Sequence, residues 1–161
     1  MPEPALHVVL YQPEIPPNTG NAGRLCLALG LRLHVVHPIP FSMDERAVRR
    51  AGLDYWKHVD LQEHASPEAF WGWAEGRRVH VYSAAARRPY TAAPYAWGDV
   101  LVFGRETVGL PREIVAAHAA WRIPIDGPVR SFNLSNAVAV VACRAMEVVR
   151  PELFADPGEG A

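Results

Sequence analysis

Three short stretches of this chain gather side chains that can hold and orient a ligand: Asn18–Arg24 (NTGNAGR), Phe103–Pro111 (FGRETVGLP) and Ile123–Asn136 (IPIDGPVRSFNLSN). Their asparagines and serines donate and accept hydrogen bonds, Glu106 adds a carboxylate, and Arg24 adds a guanidinium fork suited to phosphate. Each stretch also has an architectural reading. Asn18-Thr19-Gly20 suits a turn and a helix cap, and Gly104, Gly109 and Pro111 suit loop punctuation. Ser131, Asn133 and Ser135 suit the capping of the apolar run AVAVVACRAM that follows them. Their position in the fold decides between the readings.

The elements that must position them follow from hydrophobic periodicity. Leu6–Tyr11 is a short apolar, β-branched run and predicts a buried strand, followed by the loop QPEIPPNTGN. Ala22–Gly30 predicts a helix closing on Gly30, and Leu31–Val36 a second strand, so the start reads as a βαβ unit with parallel strands. Further helices are predicted over Met43–Leu53 with Ser42 as cap, Ser66–Gly76 with Ser66 as cap, Pro111–Ala120 and Leu134–Arg150. Strands are predicted at Arg77–Ser83, Asp99–Gly104 and Trp121–Ile125. This alternation predicts an α/β fold, a mostly parallel sheet flanked by helices on both faces. Ligands collect beyond the carboxyl ends of the strands in such sheets, and all three polar stretches fall there.

Length and composition narrow the class. With 161 residues, half of them apolar, the chain predicts one domain over 1–161, with a core over about 5–153 and a loose tail at 154–161. A net charge of −1 predicts no whole-chain attraction to nucleic acid and leaves any contact to a local basic patch. Lys57 is the only lysine, so such a patch must be built from arginine. Cys26 and Cys143 both sit in apolar runs and read as buried free thiols. The absence of GxGxxG, GxxxxGK[ST], HExxH and GxSxG argues against a dinucleotide site, a P-loop, a metal site and a serine hydrolase in turn. No apolar run approaches the ~18 residues of a membrane span, and the opening MPEPALHVVLY lacks a secretory signal's pattern. The expectation is a cytoplasmic protein without membrane or metal.

In order and spacing, NTGNAGR, LVFGRETVGLP and IPIDGPVRSFNLSNAVAV resemble the three signature motifs of the SPOUT class of RNA methyltransferases. VVLYQPEIPPNTGN and RRAGLDYW are similar to one branch of it, the TrmL (YibK-like) tRNA (cytidine/uridine-34 2′-O)-methyltransferases. The resemblance runs over nearly the whole chain. It implies a single-domain α/β knot, whose carboxyl-terminal segment threads a loop to make a deep trefoil knot. It implies S-adenosyl-L-methionine as cofactor, S-adenosyl-L-homocysteine as product, the tRNA anticodon loop as substrate, and a homodimer with its active site between subunits.

Residue by residue, the resemblance implies that Asn18 and Arg24 organise the ribose and phosphate end of the substrate. Glu106, Ser131 and Asn133 complete the implied catalytic set. Tyr82, Gly104, Ile123, Ser131, Leu134 and Ser135 are implied at the cofactor, Gly104 through close backbone access. The family reading of Arg24 as proton acceptor sits poorly with a guanidinium, which holds its proton tightly; gripping the adjacent phosphate and polarising the hydroxyl is the easier role. Two departures stand out. Cys143 and Arg144 replace an aromatic–Glu pair that helps dimer and helix packing, and Ser83–Pro89 (SAAARRP) replaces a Thr-Thr-Lys-Gly-like stretch, with Ala85 in place of a lysine. Arg87 and Arg88 there are either a substitute contact to the anticodon stem or a solvated loop. The rival readings are a methyltransferase acting on another tRNA site or on ribosomal RNA, and an RNA-binding member that has lost turnover.

Overall fold

The computed structural model describes residues 2–44, 46–49 and 55–158. Seven strands form one sheet in the order β3-β2-β1-β6-β4-β7-β5. They are β1 (Leu6–Tyr11), β2 (Arg32–Val36), β3 (Leu61–His64), β4 (Val79–Tyr82), β5 (Arg88–Pro89), β6 (Asp99–Phe103) and β7 (Ala119–Arg122). Every strand pair is parallel. Central β1 and β6 are buried at every position, as strands covered on both faces must be.

Alternation along β1 splits the core. Leu6, Val8 and Leu10 pack with Ala22 and Cys26 of α1 (Pro16–Leu29) and with Val138, Val141 and Ala142 of α5 (Leu134–Val149). Val9 and Tyr11 face the other way, onto Phe70 and Ala74 of α3 (Pro67–Ala74) and Leu110 and Ile114 beside and within α4 (Arg112–Ala117). The predicted Ser66 cap is present, its hydroxyl accepting from the Ala69 N–H at 3.1 Å. Gly30 ends α1, and the Leu31 N–H returns to the Cys26 carbonyl at 2.8 Å. No helix among the described residues is long and apolar enough to cross a membrane.

Several expectations need correction. The predicted loop Gln12–Asn21 is largely helix, because Pro16 and Pro17 supply helical φ at the two positions where an N–H is dispensable. α4 stops at Ala117, and Ala119 and Ala120 belong to β7, which ends at Arg122. β3 (LQEH) and the two-residue β5 lack apolar alternation, and the periodicity missed both. Of the helix expected over Met43–Leu53, α2 spans Arg46–Arg49, while Glu45 and 50–54 lie outside the described residues. The Ser42 hydroxyl accepts from the Asp44 N–H at 3.1 Å, ahead of that helix. Cys26 is buried as expected, but Cys143 is exposed on α5.

A histidine ladder crosses three strands on the α3 face. The Glu3 carboxylate accepts from His7 Nε2 at 2.7 Å, His7 Nδ1 from His34 Nε2 at 2.8 Å, and His34 Nδ1 from His64 Nε2 at 3.0 Å. Trp73 packs on all three rings. Burial lowers the pKa of His7 and His64 and pushes that of His34 down to about 2.

Candidate active site

Pro16 and Pro17 have no N–H, so the amides left to satisfy ahead of α1 are those of Glu14 and Ile15. Both find Glu106. The Glu14 N–H donates to its two oxygens at 3.1 and 2.9 Å, and the Ile15 N–H donates at 2.5 Å. The exchange is reciprocal. Glu14 Oε1 accepts from the Thr107 N–H at 3.0 Å and from the Thr107 hydroxyl at 2.8 Å. Burial raises the Glu106 pKa against the pull of the two amides, while the Thr107 amide and hydroxyl hold Glu14 below the usual carboxylate range.

The loop after β6 is a tight turn. Arg105 and Gly109 exchange backbone hydrogen bonds of 3.3 and 3.0 Å, and Gly109 sits at φ 66°. A Cβ on Gly104 would lie 2.5 Å from both Gly109 C and Leu110 N, so the turn itself demands the missing side chain there. Asn133 opens α5. Its Oδ1 accepts from the Ser135 N–H and hydroxyl at 3.0 and 2.7 Å and from the Asn136 N–H at 3.3 Å. Its Nδ2 donates to Oδ1 of buried Asn18 at 3.0 Å, so one side chain both caps a helix and joins it to α1.

Between these loops, beyond the carboxyl ends of β4, β6 and β7, lies a cavity of about 540 Å³. Tyr82, Gly104, Glu106, Ile123, Ser131 and Leu134 all line it. Tyr82 and Phe103 stack with centroids 4.8 Å apart and planes 12° apart, and the Tyr82 hydroxyl bonds that of Tyr95 at 2.9 Å. Asn18, Arg24, Asn133 and Ser135 are not in the lining. Asn133 and Asn18 instead join the α5 and α1 starts beside it. Arg24 is exposed on α1, its guanidinium 5.7 Å from the centre of the Tyr55 ring. Sequence reasoning passed over Glu14, Thr107, Tyr55 and Arg130, the last of which lines the cavity; Glu14 and Tyr55 lay inside the stretches PEIPPNTGN and RRAGLDYW without a role.

The family described as the SpoU rRNA Methylase family matches residues 5–143. The chain belongs to this family. Among its relatives, a tRNA (cytidine(34)-2′-O)-methyltransferase of Escherichia coli (strain K12) is 44% identical over 143 residues, covering 87% of this chain and 91% of the relative. One of Aeromonas hydrophila is 45% identical over 138 residues, covering 84% and 88%. A solved structure reported as "Structural insights into the 2-OH methylation of C/U34 on tRNA" superposes with a TM-score of 0.86 at 45% identity, covering 91% of this chain and 97% of that one. An AdoMet-bound rRNA methyltransferase of Sinorhizobium meliloti superposes at 0.81 with 26% identity, over 91% of this chain and 57% of that one.

The SpoU-family cavity suits such a cofactor. Its volume lies within the ~300–1,000 Å³ typical of small-molecule sites. Its lining combines Tyr82, Phe103, Ile123 and Leu134 with the 104–109 turn and Ser131. Aromatic and aliphatic residues suit a purine, and the polar residues among them suit its polar edge and an amino-acid tail.

Proposed function

We infer that the protein transfers a methyl group from S-adenosyl-L-methionine to the ribose 2′-hydroxyl of the wobble nucleotide, cytidine or uridine 34, of tRNA, releasing S-adenosyl-L-homocysteine. The observation that carries this reading is the cavity at the exits of β4, β6 and β7, walled by the second and third polar stretches and joined to the first through Asn133 and Asn18. When bound, the cofactor supplies an electrophilic methyl group on a sulfonium. Tyr82, Gly104, Ile123, Ser131 and Leu134, which line the cavity, would hold it, and Ser135 keeps Asn133 oriented beside it. Asn18 and Asn133 fix the start of α1 against that of α5. Arg24 grips the phosphate next to the target ribose and polarises the hydroxyl, whose proton passes to solvent water as the oxygen takes the methyl group. Alignment of the oxygen with the methyl carbon supplies much of the acceleration.

The same reading makes the chain a single domain over 1–161, with the knot of its family and a homodimer as the working form in the cytoplasm. Exposed Val140 and Val148 on α5, with Leu153 and Phe154 after it, support a subunit contact built on that helix despite Cys143 and Arg144. Arg87 and Arg88 support an anticodon-stem contact in place of the missing lysine.

Incubation with methyl-labelled S-adenosyl-L-methionine and, in parallel, total tRNA and ribosomal RNA, followed by mapping of the labelled nucleotide, tests the reading. Label on the ribose of nucleotide 34 is expected. Label confined to another tRNA position or to ribosomal RNA overturns the substrate. Cofactor binding without transfer to any RNA makes the protein a non-catalytic RNA binder.

A further inference from the structure

Two loops on the rim of the cavity hold each other by carboxylates exchanged in opposite directions. Glu106, in the loop after β6, accepts the amides of Glu14 and Ile15; Glu14, in the loop after β1, accepts the amide and hydroxyl of Thr107. We propose that Glu14 is a positioning residue for methyl transfer, fixing the 104–109 turn against the start of α1 through Thr107. The proposal rests on reading the cavity as the S-adenosyl-L-methionine site.

Beyond the Glu106 bonds to the Glu14 and Ile15 amides, the tip of the turn is held through Thr107. Its base is closed by the Arg105–Gly109 pair, while Thr107 and Val108 stand exposed at its apex. The Thr107 amide and hydroxyl both donate to Glu14. Gly104, Glu106, Thr107 and Gly109 line the cavity, so a displaced apex displaces its wall. On the other side, α1 begins directly after Ile15 and carries Asn18, which is bonded to Asn133. Glu14 therefore closes a ring that runs through the turn, the cavity, the α5 start and α1. Both oxygens of Glu106 are engaged by backbone amides, which suits a brace better than a proton acceptor.

The test uses Glu14→Ala, Glu14→Gln and Thr107→Val in the full chain. In cofactor-free protein, amide hydrogen exchange at Thr107 is followed by NMR, with Val8 and Leu101 as core references. Glu14→Ala is expected to speed exchange at Thr107 by about tenfold, the scale of losing one or two hydrogen bonds, with the core amides unchanged. Calorimetry with S-adenosyl-L-methionine is expected to show about tenfold weaker binding for Glu14→Ala, recovered to within about threefold by Glu14→Gln, whose amide oxygen still accepts from Thr107. Thr107→Val, which keeps the amide and loses the hydroxyl, is expected between the two. In turnover, KM for the cofactor rises with KM for tRNA unchanged. Unaltered exchange at Thr107 in Glu14→Ala overturns the proposal, and so does faster exchange with unaltered cofactor affinity. If the wild-type protein binds the cofactor and the variants respond as stated, but no tRNA is methylated, the wobble reading falls and the clasp stands.

Discussion

Asn133 directs its Oδ1 to three groups at the start of α5 and its Nδ2 to Asn18, so one side chain of SFNLSN caps α5 and ties it to α1 at once. The cap was legible because polar residues ahead of an apolar run have a local purpose. Its cross-link to Asn18, 115 residues away in sequence, has no local signal. Glu14 was illegible for a related reason: a glutamate among prolines carries no periodicity, and its partner Thr107 is 93 residues distant. Arg24 stands outside the cavity lining and over Tyr55, as suits a group that meets the nucleotide and not the cofactor. Arg24→Ala should therefore lower kcat by about 10²–10³-fold or more, the scale of removing one electrostatic interaction with the transition state. Its cofactor affinity by calorimetry should stay within about twofold of wild type, because the variant leaves the cavity intact.

Element boundaries were legible wherever burial imposed a rhythm. β1 matches its predicted span residue for residue, because a strand covered on both faces reads as one apolar block. The edge strands had no such constraint. β3 exposes Glu63, and β5 is two residues, Arg88 and Pro89. That β5–β7 edge nonetheless has a chemical character. Arg88 lies over the buried Trp121 ring at 4.1 Å, Arg122 Nε donates to the Arg87 carbonyl at 3.3 Å, and none of the three guanidiniums is paired with a carboxylate among the described residues. Ser83, Ala84 and Ala85, just upstream, line the cavity. The double variant Arg87→Ala/Arg88→Ala should weaken tRNA binding by about tenfold at moderate salt and flatten the dependence of log Kd on log salt by ~0.7–0.9 for each phosphate no longer neutralised. Fluorescence anisotropy across a salt series checks this, and an unchanged slope returns the pair to the solvated-loop reading.

At the scale of the whole molecule, the histidine ladder ties global stability to acidity. His7, His34 and His64 are neutral in the fold with depressed pKa values, whereas in the unfolded chain each titrates near 6.5. Below that pH the unfolded state takes up protons that the folded state refuses. The contribution is complete above pH ~6.5 and is lost as pH falls, by at most about 1.4 kcal/mol per pH unit for each histidine kept neutral. Urea midpoints should fall between pH 7 and pH 5, and His34→Gln should reduce that slope by about one proton; a flat profile in the wild type contradicts the ladder. The parallel topology bears also on synthesis. β1 lies inside the sheet between β2 and β6, with Leu6 opposite Asp99 of β6. At ~5–20 residues per second a ribosome takes several seconds to make the partner for that edge, so the nascent chain emerges with an apolar interior strand half-paired and in need of cover.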